Sequence, residues 1–417
     1  MSLLSVAEAR RRLMAAVQPV EADETVPLEA AYGRVLAAPV TAPFPLPPFA
    51  NAEMDGFALR AGDVRGASEA QPVVLRVIGD VPAGHPFEGV VGEREAVRIT
   101  TGAPLPAGAD AVVPVEDTDA YRRQAAALPL PETVAVRRAV AAGTYVRPRG
   151  KDTPAGHVLL PAGRRLNARE VALLAMVGMK MVTVRRKPRV AFFAAGDELL
   201  PAGAPLTPGK IYETNTYTLR GLLASCPVEG LPLGVTPDSA AAVRAMLEEA
   251  VAAGADFILS SAGASVGPTD FVHRVLAEQG EVHFWKVNVR PGKPVAFGAY
   301  RGVPMLSLPG NPASSFVSFE VFVRPLLHRL AGGRGWKRLA LQARLAEAVT
   351  SDGRESYLRG LLAMEDGRLT ARLVGTHQGS GNLLGLAQAE ALIVVPAGVH
   401  HLPAGAEVTV WPLQLHP

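Results

Sequence analysis

The sequence predicts a multidomain protein in which a central, doubly wound α/β domain stands between β-rich segments. Three observations support this fold class. From about residue 185 to residue 330, buried apolar strands alternate with amphipathic helices, as in a largely parallel sheet. Before this region, residues 71–118 contain short Val/Ile runs broken by Pro-Ala-Gly turns. After it, the Gly-rich stretch 332–335 opens a last strand-and-turn segment.

The elements before the α/β region are predicted from local signals. Ser5 and Glu8 have the spacing of a helix capping box, so a helix begins there. The proline-rich stretch 40–50 predicts an extended crossover, because proline fixes φ and lacks a backbone donor. Asn167 and Glu170 form a second capping pair, which predicts a helix that continues to about Met179.

Within the α/β region the apolar runs predict five strands, and amphipathic patterns between and after them predict helices. The strands are expected at 189–194, 256–261, 282–287, 295–298 and 305–308. The helices are expected at about 215–224, 238–253, 269–278 and 312–330.

Composition and charge exclude several classes of protein. The chain has 417 residues, of which 48% are hydrophobic, so disorder is not expected. A net charge of +3 and few aromatic residues give little support to nucleic-acid binding. The single cysteine, Cys226, excludes an internal disulfide and a cysteine-based zinc site. No targeting segment is recognised, and the longest apolar run is too short to span a bilayer.

Three loops that follow predicted strands combine glycine with polar side chains, at 196–198, 262–267 and 309–312. Open α/β sheets bind ligands beyond the carboxyl ends of their strands. Each loop alone could be an ordinary turn, but the three together predict a ligand site. The candidate binding residues at these strand ends are Gly196, Ser261, Gly263, Ser265, Gly310 and Asn311.

Positive charge gathers beside the last of these loops. Asn311 and Pro312 are suited to the start of a helix, whose free N–H groups favour an anion, with Ser314 in the first turn. Lys286, Arg290 and Lys293 lie in one short segment and suit an oxyanion. The alternatives are an ordinary capped helix and a solvated cationic loop.

Carboxylates are also expected near the sheet. Glu198 follows a strand, and Asp238 and Asp270 lie near the starts of two predicted helices. Mg²⁺ is usually held by one or two carboxylates together with substrate phosphate oxygens. Asp238 and Asp270 would also be explained by simple helix capping, so neither is informative alone.

Motifs along nearly the whole chain resemble those of the molybdopterin molybdenumtransferases, the MoeA-type family that includes the catalytic domain of gephyrin. The match depends on nine or more motifs in the same order. They are 48–58 (PFANAEMDGFA), 99–110 (ITTGAPLPAGAD) with Glu116, 147–152 (RPRGKD), 196–199 (GDEL), 212–215 (YETN), 265–270 (SVGPTD), 286–294 (KVNVRPGKP), 308–312 (LPGNP), Arg359-Gly360 and 378–380 (QGS).

The resemblance implies a reaction. Molybdenum from molybdate enters the dithiolene of adenylylated molybdopterin, the pyrophosphate linkage is cleaved and AMP leaves, with Mg²⁺ assisting. It implies catalytic roles for Asp55, Thr101, Glu198, Asp238, Asp270 and Lys286, of which Glu198, Asp238 and Asp270 hold the metal. It implies molybdate binding by Arg290, Lys293, Ser314, Arg359 and Ser380, and binding of the molybdopterin and AMP parts by the six strand-end residues named above.

The resemblance also implies four domains. They are an elongated linker domain (1–44 and 143–180), an inserted β domain (45–142), the α/β molybdopterin-binding domain (181–330) and a C-terminal β-barrel (331–417). A cytoplasmic homodimer is expected, whose partners are the small-molecule substrates and, in addition, the molybdopterin adenylyltransferase and apo-molybdoenzymes.

The chain departs from the family pattern at three places. Ala50, Ala52 and Glu53 replace the usual Asp, Ser and Ala, and the strand-end loop reads SSAGAS where SSGGVS is usual. Arg290 stands where Lys is common, which preserves the charge but changes the donor geometry. If position 262 requires a positive φ, Ala262 is strained by about 1 kcal/mol or more. A scaffold that binds molybdopterin without turnover and an adenylyltransferase are the alternatives. The carboxylates favour the enzyme over the scaffold, and the additional domains argue against the adenylyltransferase.

Overall fold

The computed structural model describes residues 3–123, 129–262, 271–334, 336–375 and 377–413. The chain forms two compact units. The first unit contains the residues up to Ala38 together with those from Ala162 onward, and the second is Pro39–Pro161. The second unit therefore includes the whole of the predicted inserted domain, while the division into four domains stays a prediction.

A six-stranded sheet forms the centre of the first unit. Four neighbouring strands are parallel, and the last two are each antiparallel to the strand beside them. In spatial order the strands are Glu229–Thr236, Arg189–Ala195, Phe257–Ser261, Val303–Leu308, Ala296–Tyr300 and Gly280–Trp285.

Helices cover both faces of this sheet, which confirms the doubly wound α/β fold. Successive side chains of Arg189–Ala195 point to opposite faces. Phe192 packs on the face that buries the helix Asn215–Ala224, and Phe193 packs on the face that buries the helix Ala240–Ala252. Full burial of each phenylalanine is worth about 2 kcal/mol.

Two further helices complete the layers. The helix Phe271–Gln279 lies on the Phe193 face. The long predicted helix begins at Pro312 and ends at Leu330, but it contains a π-helical turn. Its parts are Pro312–Ser318, the π segment Phe319–Val323, and Arg324–Leu330.

The edge strand Glu229–Thr236 is absent from the sequence prediction. It contains Pro232 and two glycines, and most of its residues are exposed. These residues indicate a loop by sequence, but an edge strand tolerates proline because one side of its backbone needs no partner.

The C-terminal region is a closed five-stranded β-barrel, as predicted. Each strand pairs with two others, and the pairing of Glu355–Glu365 with Ala391–Val395 closes the ring. Leu345, Leu358 and Ile393 belong to its core. Around the ring the strands are Glu355–Glu365, Arg368–Leu373, Leu341–Leu345, Glu407–Pro412 and Ala391–Val395.

Smaller elements complete the first unit. The Ser5 side chain caps the helix Val6–Ala16 by accepting from the Glu8 N–H, and Asn167 and Glu170 form the predicted capping box before Ala168–Met176. The other elements are the strand pairs Asp23–Pro27 with Met181–Arg185, Leu199–Leu200 with Ile211–Tyr212 and Val349–Thr350 with His401–Leu402, the strand Val289–Arg290, the helix Leu383–Ala387 and the 3-10 turn Leu28–Ala30.

The second unit is built on a five-stranded mixed sheet that buries both faces. Phe57 packs on one face and Ala58 on the other. Its strands in order are Ala111–Pro114, Gly56–Leu59, Glu95–Ile99, Val73–Val81 and Thr133–Val136. The remaining elements are the pairs Asn51–Ala52 with Val146–Arg147 and Val40–Thr41 with Val158–Leu160, and the 3-10 turns Ala61–Val64, Val115–Asp117 and Asp119–Arg123.

Among the residues that the structure describes, no helix combines the length and the apolar character that are needed to cross a membrane.

Candidate functional site

The carboxyl ends of the four parallel strands form a row along one edge of the α/β sheet. In spatial order the row is Thr236, Ala195, Ser261 and Leu308. The three predicted loops therefore leave the same edge, where open α/β sheets bind ligands. Part of the middle loop, residues 263–270 with Gly263, Ser265 and Asp270, lies outside the described residues.

Carboxylates gather at the first two of these strand ends. The Asp238 N–H donates to Asp197 Oδ1 at 3.1 Å, and the Asp197 N–H lies 3.4 Å from Asp238 Oδ2. The Glu198 carboxylate folds over Gly196, where an added Cβ would lie 2.6 Å from Glu198 Oε2. The structure therefore brings the predicted Glu198 and Asp238 together and adds Asp197, which the sequence analysis had not selected.

Burial raises the pKa of Asp238 above its ordinary value, and the negative charges of Asp197 and Glu198 raise it further. The hydrogen bond from the Asp197 N–H lowers this pKa but does not cancel the increase. Asp238 is not the helix cap considered above, because Ser239 occupies that position and accepts from the Ala242 N–H at 3.2 Å. Within the described ranges, no group of three or more His, Cys, Asp or Glu side chains is arranged to hold a metal ion.

Asn215 joins the middle and last strand-end loops. Its Nδ2 donates to Ser261 Oγ and to the Gly310 carbonyl, both at 2.7 Å. Only 8% of Asn215 is exposed. Two of the predicted ligand-binding residues, Ser261 and Gly310, are thus held in a fixed relation by a side chain from a third element.

Ala262 has a φ of +77°, so this departure from the family pattern occupies the left-handed region. Its N–H still donates to the Leu308 carbonyl at 3.0 Å, which anchors the strained residue at the sheet edge. The condition under which alanine is strained at position 262, a positive φ, is therefore met.

Replacing Ala262 with glycine should stabilise the protein. Release of the left-handed strain is worth about 1–2 kcal/mol, and the added freedom of glycine in the unfolded chain costs about 0.4–1 kcal/mol. A net gain of about 0.5–1 kcal/mol is expected in denaturant unfolding. Ala253→Gly is the matched control, because Ala253 has a φ of −72° and should only lose stability. Loss of stability in both variants would contradict the presence of backbone strain at Ala262.

The three predicted cations share one loop. Lys286 turns away from its strand with a φ of +72°, and its N–H donates to the Val295 carbonyl at 3.1 Å. The Val287 N–H donates to the Lys293 carbonyl at 3.0 Å and closes the loop. We name the segment Lys286–Lys293 the cation loop.

Gly292 fixes the cation loop against the last strand-end loop and the helix that follows it. Gly292 is buried with a φ of +106°, and an added Cβ would lie 2.6 Å from Ser318 Oγ and 3.7 Å from Pro309 Cγ. The cation loop therefore reaches the same edge of the sheet as the carboxylates. Arg290 lies 3.9 Å from the Asp352 carboxylate, which makes it a long ion pair with the barrel region.

The start of the helix Pro312–Ser318 is partly covered. The Ala313 N–H donates to the Ser380 carbonyl at 3.0 Å, so the prediction that these first N–H groups are free is wrong at this position. Asn311 does not cap the helix with its side chain, and its Nδ2 donates to Ser380 Oγ at 2.9 Å. Ser314 is buried in the first turn.

Arg359 organises the loop that carries Ser380. It is buried, and its guanidinium donates to the carbonyls of His377, Gly379 and Asn382 at 2.9–3.2 Å. Its backbone N–H donates to Gln378 Oε1 at 2.9 Å. Burial lowers the pKa of Arg359 from its ordinary value. These contacts give Arg359 a positioning role, and direct contact with molybdate stays a prediction.

The second unit contains the remaining predicted residues. Asp55 Oδ1 accepts from the Thr101 N–H at 2.6 Å and from Thr101 Oγ1 at 2.7 Å, and these bonds lower the pKa of Asp55. The structure thus pairs the two residues within this unit. Glu53, one of the departures, forms an ion pair with Lys151 at 2.8 Å.

Three site residues, Asp197, Asn215 and Gly292, are absent from the candidates predicted by sequence. Asp197 belongs to the GDEL motif, Asn215 to the YETN motif and Gly292 to the KVNVRPGKP motif, so motif membership was the available signal. Their contacts join residues distant in sequence, and the partners Asn215 and Gly310 are 95 positions apart.

Comparison with known proteins agrees with this architecture. Residues 4–178 match the model described as MoeA N-terminal region (domain I and II), residues 191–329 match "Probable molybdopterin binding domain", and residues 342–413 match MoeA C-terminal region (domain IV). The α/β domain with its strand-end loops is thus of the molybdopterin-binding class.

The similarity to individual proteins extends over nearly the whole chain. A molybdopterin molybdenumtransferase of Nostoc is 38% identical over 94% of this chain and 89% of its own. That of Haemophilus influenzae is 33% identical over 98% of each chain. The crystal structure of a molybdopterin biosynthesis moeA protein from Pyrococcus horikoshii has a TM-score of 0.82 at 30% identity, covering 99% of this chain and 100% of its own. The chain belongs to the MoeA family.

Proposed function

We propose that the protein inserts molybdenum from molybdate into adenylylated molybdopterin and releases AMP. Membership of the MoeA family supports a transferase role in molybdenum cofactor biosynthesis. The single observation that carries the proposal is the convergence of opposite charges at one sheet edge. Carboxylates lie at two strand ends, and Gly292 holds the cation loop against Pro309 at a third.

Molybdate is a tetrahedral dianion, and the residues around the last strand end suit it. We assign Arg290, Lys293, Ser314 and Ser380 to its oxygens, since charged and hydroxyl donors are the usual oxyanion partners. Arg359 supports this set by holding the Ser380 loop. Lys286 is assigned to a substrate phosphate. Asp55 and Thr101 are assigned catalytic roles from their motifs, and the two hydrogen bonds that Thr101 donates to Asp55 lower the pKa of that carboxyl.

The adenylyl phosphates are expected to approach the carboxylate side. Glu198 and Asp238 fit Mg²⁺, which prefers oxygen ligands, and their crowding with Asp197 leaves negative charge that a cation would neutralise. We assign Asp270 as the third ligand from its motif. Bound Mg²⁺ would supply charge stabilisation at the bridging phosphate oxygens. The strand-end residues Gly196, Ser261, Gly263, Ser265, Gly310 and Asn311 are assigned to the organic part of the substrate.

The proposal is tested by supplying purified protein with adenylylated molybdopterin and Mg²⁺, with and without molybdate, and measuring released AMP. Release that requires molybdate is the expected result. Tight binding of the substrate without release in either condition would favour the molybdopterin-binding scaffold and contradict the enzyme.

Ser380→Ala should weaken molybdate binding more than nucleotide binding. The substitution removes the hydroxyl partner of Asn311 and one donor from the molybdate set, a loss of about 1 kcal/mol or about fivefold in affinity. The concentration of molybdate that gives half-maximal AMP release measures this effect. Thr409→Val is the control, because it removes a hydroxyl of the barrel that bonds only Gln342 among the described residues. Equal weakening of molybdate and nucleotide would contradict the assignment.

We also propose that the protein acts as a cytoplasmic homodimer, and that it receives its substrate from the molybdopterin adenylyltransferase and passes its product to apo-molybdoenzymes. The resemblance to the family supports these assignments. Molar mass in solution by light scattering tests the dimer, and a monomer at working concentration would contradict it.

A further inference from the structure

Asn215 has a hydrogen-bonding capacity that the described residues do not use. Both hydrogens of Nδ2 are engaged, one with Ser261 Oγ and one with the Gly310 carbonyl. Its Oδ1 is buried and has no hydrogen-bond partner among the described residues. Leaving a buried acceptor unpaired costs about 1–3 kcal/mol, so such atoms are uncommon in folded proteins.

The orientation of the amide is fixed by chemistry. A backbone carbonyl can only accept, so the group that faces the Gly310 carbonyl must be the NH₂ of Asn215. Flipping the amide would place two oxygens against each other. Oδ1 is therefore the atom that no described residue pairs with, and it can only accept a hydrogen bond.

We propose that Asn215 is a substrate-binding residue, and that its Oδ1 accepts a hydrogen bond from a neutral N–H or O–H group of the organic part of the substrate. This inference rests on the proposed function, which assigns Ser261 and Gly310, the two partners of Asn215, to that part of the substrate. A ligand donor would satisfy the unpaired acceptor, which gives the bound state an advantage over the free protein.

The chemistry of Oδ1 selects among the parts of adenylylated molybdopterin. Phosphate and molybdate oxygens are acceptors, so an ionised oxyanion gains nothing from this atom. The pterin and adenine rings carry N–H donors and the ribose carries O–H donors. The pterin, adenine and ribose groups all offer a neutral hydrogen-bond donor. Probes that contain only one or two of these groups show which of them binds Oδ1.

Four probes resolve the role by isothermal titration of the unmodified protein and of Asn215→Ala. AMP and a pterin carry ring donors, ribose phosphate carries only hydroxyl donors, and pyrophosphate serves as the anion without a neutral donor. We expect Asn215→Ala to weaken at least one donor-bearing probe by about five- to tenfold, with pyrophosphate affinity changed by less than about twofold. The probe that loses affinity identifies the donor.

A matched control lies one turn further along the same helix. Thr218 Oγ1 bonds the Thr214 carbonyl, so Thr218→Val removes a local hydroxyl and should leave all four affinities unchanged. Equal weakening of pyrophosphate and the other probes in Asn215→Ala would overturn the proposal, because it would make Asn215 only a link between two loops. Unchanged affinities for every probe would also overturn it.

Variation of the ligand keeps the test decisive if Asn215→Ala does not fold. For an amino donor, dimethylating the amino group of AMP or of the pterin removes both of its N–H groups and should weaken binding to the unmodified protein by a similar factor. For a hydroxyl donor, removing the ribose hydroxyls should do so. No effect of either change would contradict the proposal. Failure of the proposed function is detected separately, as AMP release that does not depend on molybdate.

Discussion

Asp238→Asn is expected to reduce molybdate-dependent AMP release by at least about 100-fold while the protein stays folded, because the substitution removes one negative ligand from the site assigned to Mg²⁺. Its stability should be unchanged or higher, since Asp238 is partly buried and is repelled by Asp197 and Glu198. Asparagine can still accept the hydrogen bond from the Asp197 N–H.

The measurement combines single-turnover AMP release with thermal unfolding of the same preparation. Glu249→Gln is the control, because Glu249 is an exposed carboxylate on the helix Ala240–Ala252 and should change neither quantity. Normal turnover in Asp238→Asn, or loss of activity only in proportion to loss of folded protein, would remove Asp238 from the catalytic set.

Gly292→Ala is expected to weaken molybdate binding by about 10–100-fold, because it displaces the cation loop that carries Arg290 and Lys293. The added Cβ would lie 2.6 Å from Ser318 Oγ, at a residue whose φ is +106°. Backbone strain and overpacking together should destabilise the protein by about 2–4 kcal/mol.

Two further variants separate strain from packing. Gly302 also has a positive φ, but an added Cβ there has no neighbour within 4 Å, so Gly302→Ala should show the strain of about 1 kcal/mol and normal molybdate dependence. Ser318→Ala added to Gly292→Ala removes the nearest obstructing atom and should restore part of the affinity. If Gly292→Ala behaves like Gly302→Ala, the packing of the cation loop is not important for binding.

The main features of the α/β domain could be predicted because the hydrophobic pattern of each strand in the sequence matches the burial of that strand in the fold. The buried parallel strands appear as continuous apolar runs such as 190–195, since both faces of the sheet are covered. The strand Glu229–Thr236 could not be predicted in this way, because it lies at the edge and is mostly exposed.

The candidate site was less predictable, because hydrogen bonds between distant residues define it. The glycine-rich loops and their polar residues were visible in the sequence. The buried environment of Arg359 was not visible, because its bonds to His377, Gly379 and Asn382 depend on the barrel. The role of Asn215 was likewise not visible, because its hydrogen bonds to Ser261 and Gly310 form only in the folded protein.

At Ala262, a departure from the family motif predicted backbone strain. The motif comparison suggested that glycine is usual at this position, and the physical consequence of alanine was strain if φ is positive. The structure gives a φ of +77°. Ala262 lies at a strand end of the candidate site, and strained residues in proteins tend to cluster at functional sites.

The most direct test of the account is the stoichiometry of one turnover. Adenylylated molybdopterin, Mg²⁺ and molybdate are mixed with excess protein, and both released AMP and molybdenum bound to the pterin product are measured. The account predicts one AMP released for each molybdenum incorporated, and a product that activates an apo-molybdoenzyme. AMP released without molybdenum in the product, or equally without molybdate, would contradict molybdenum insertion.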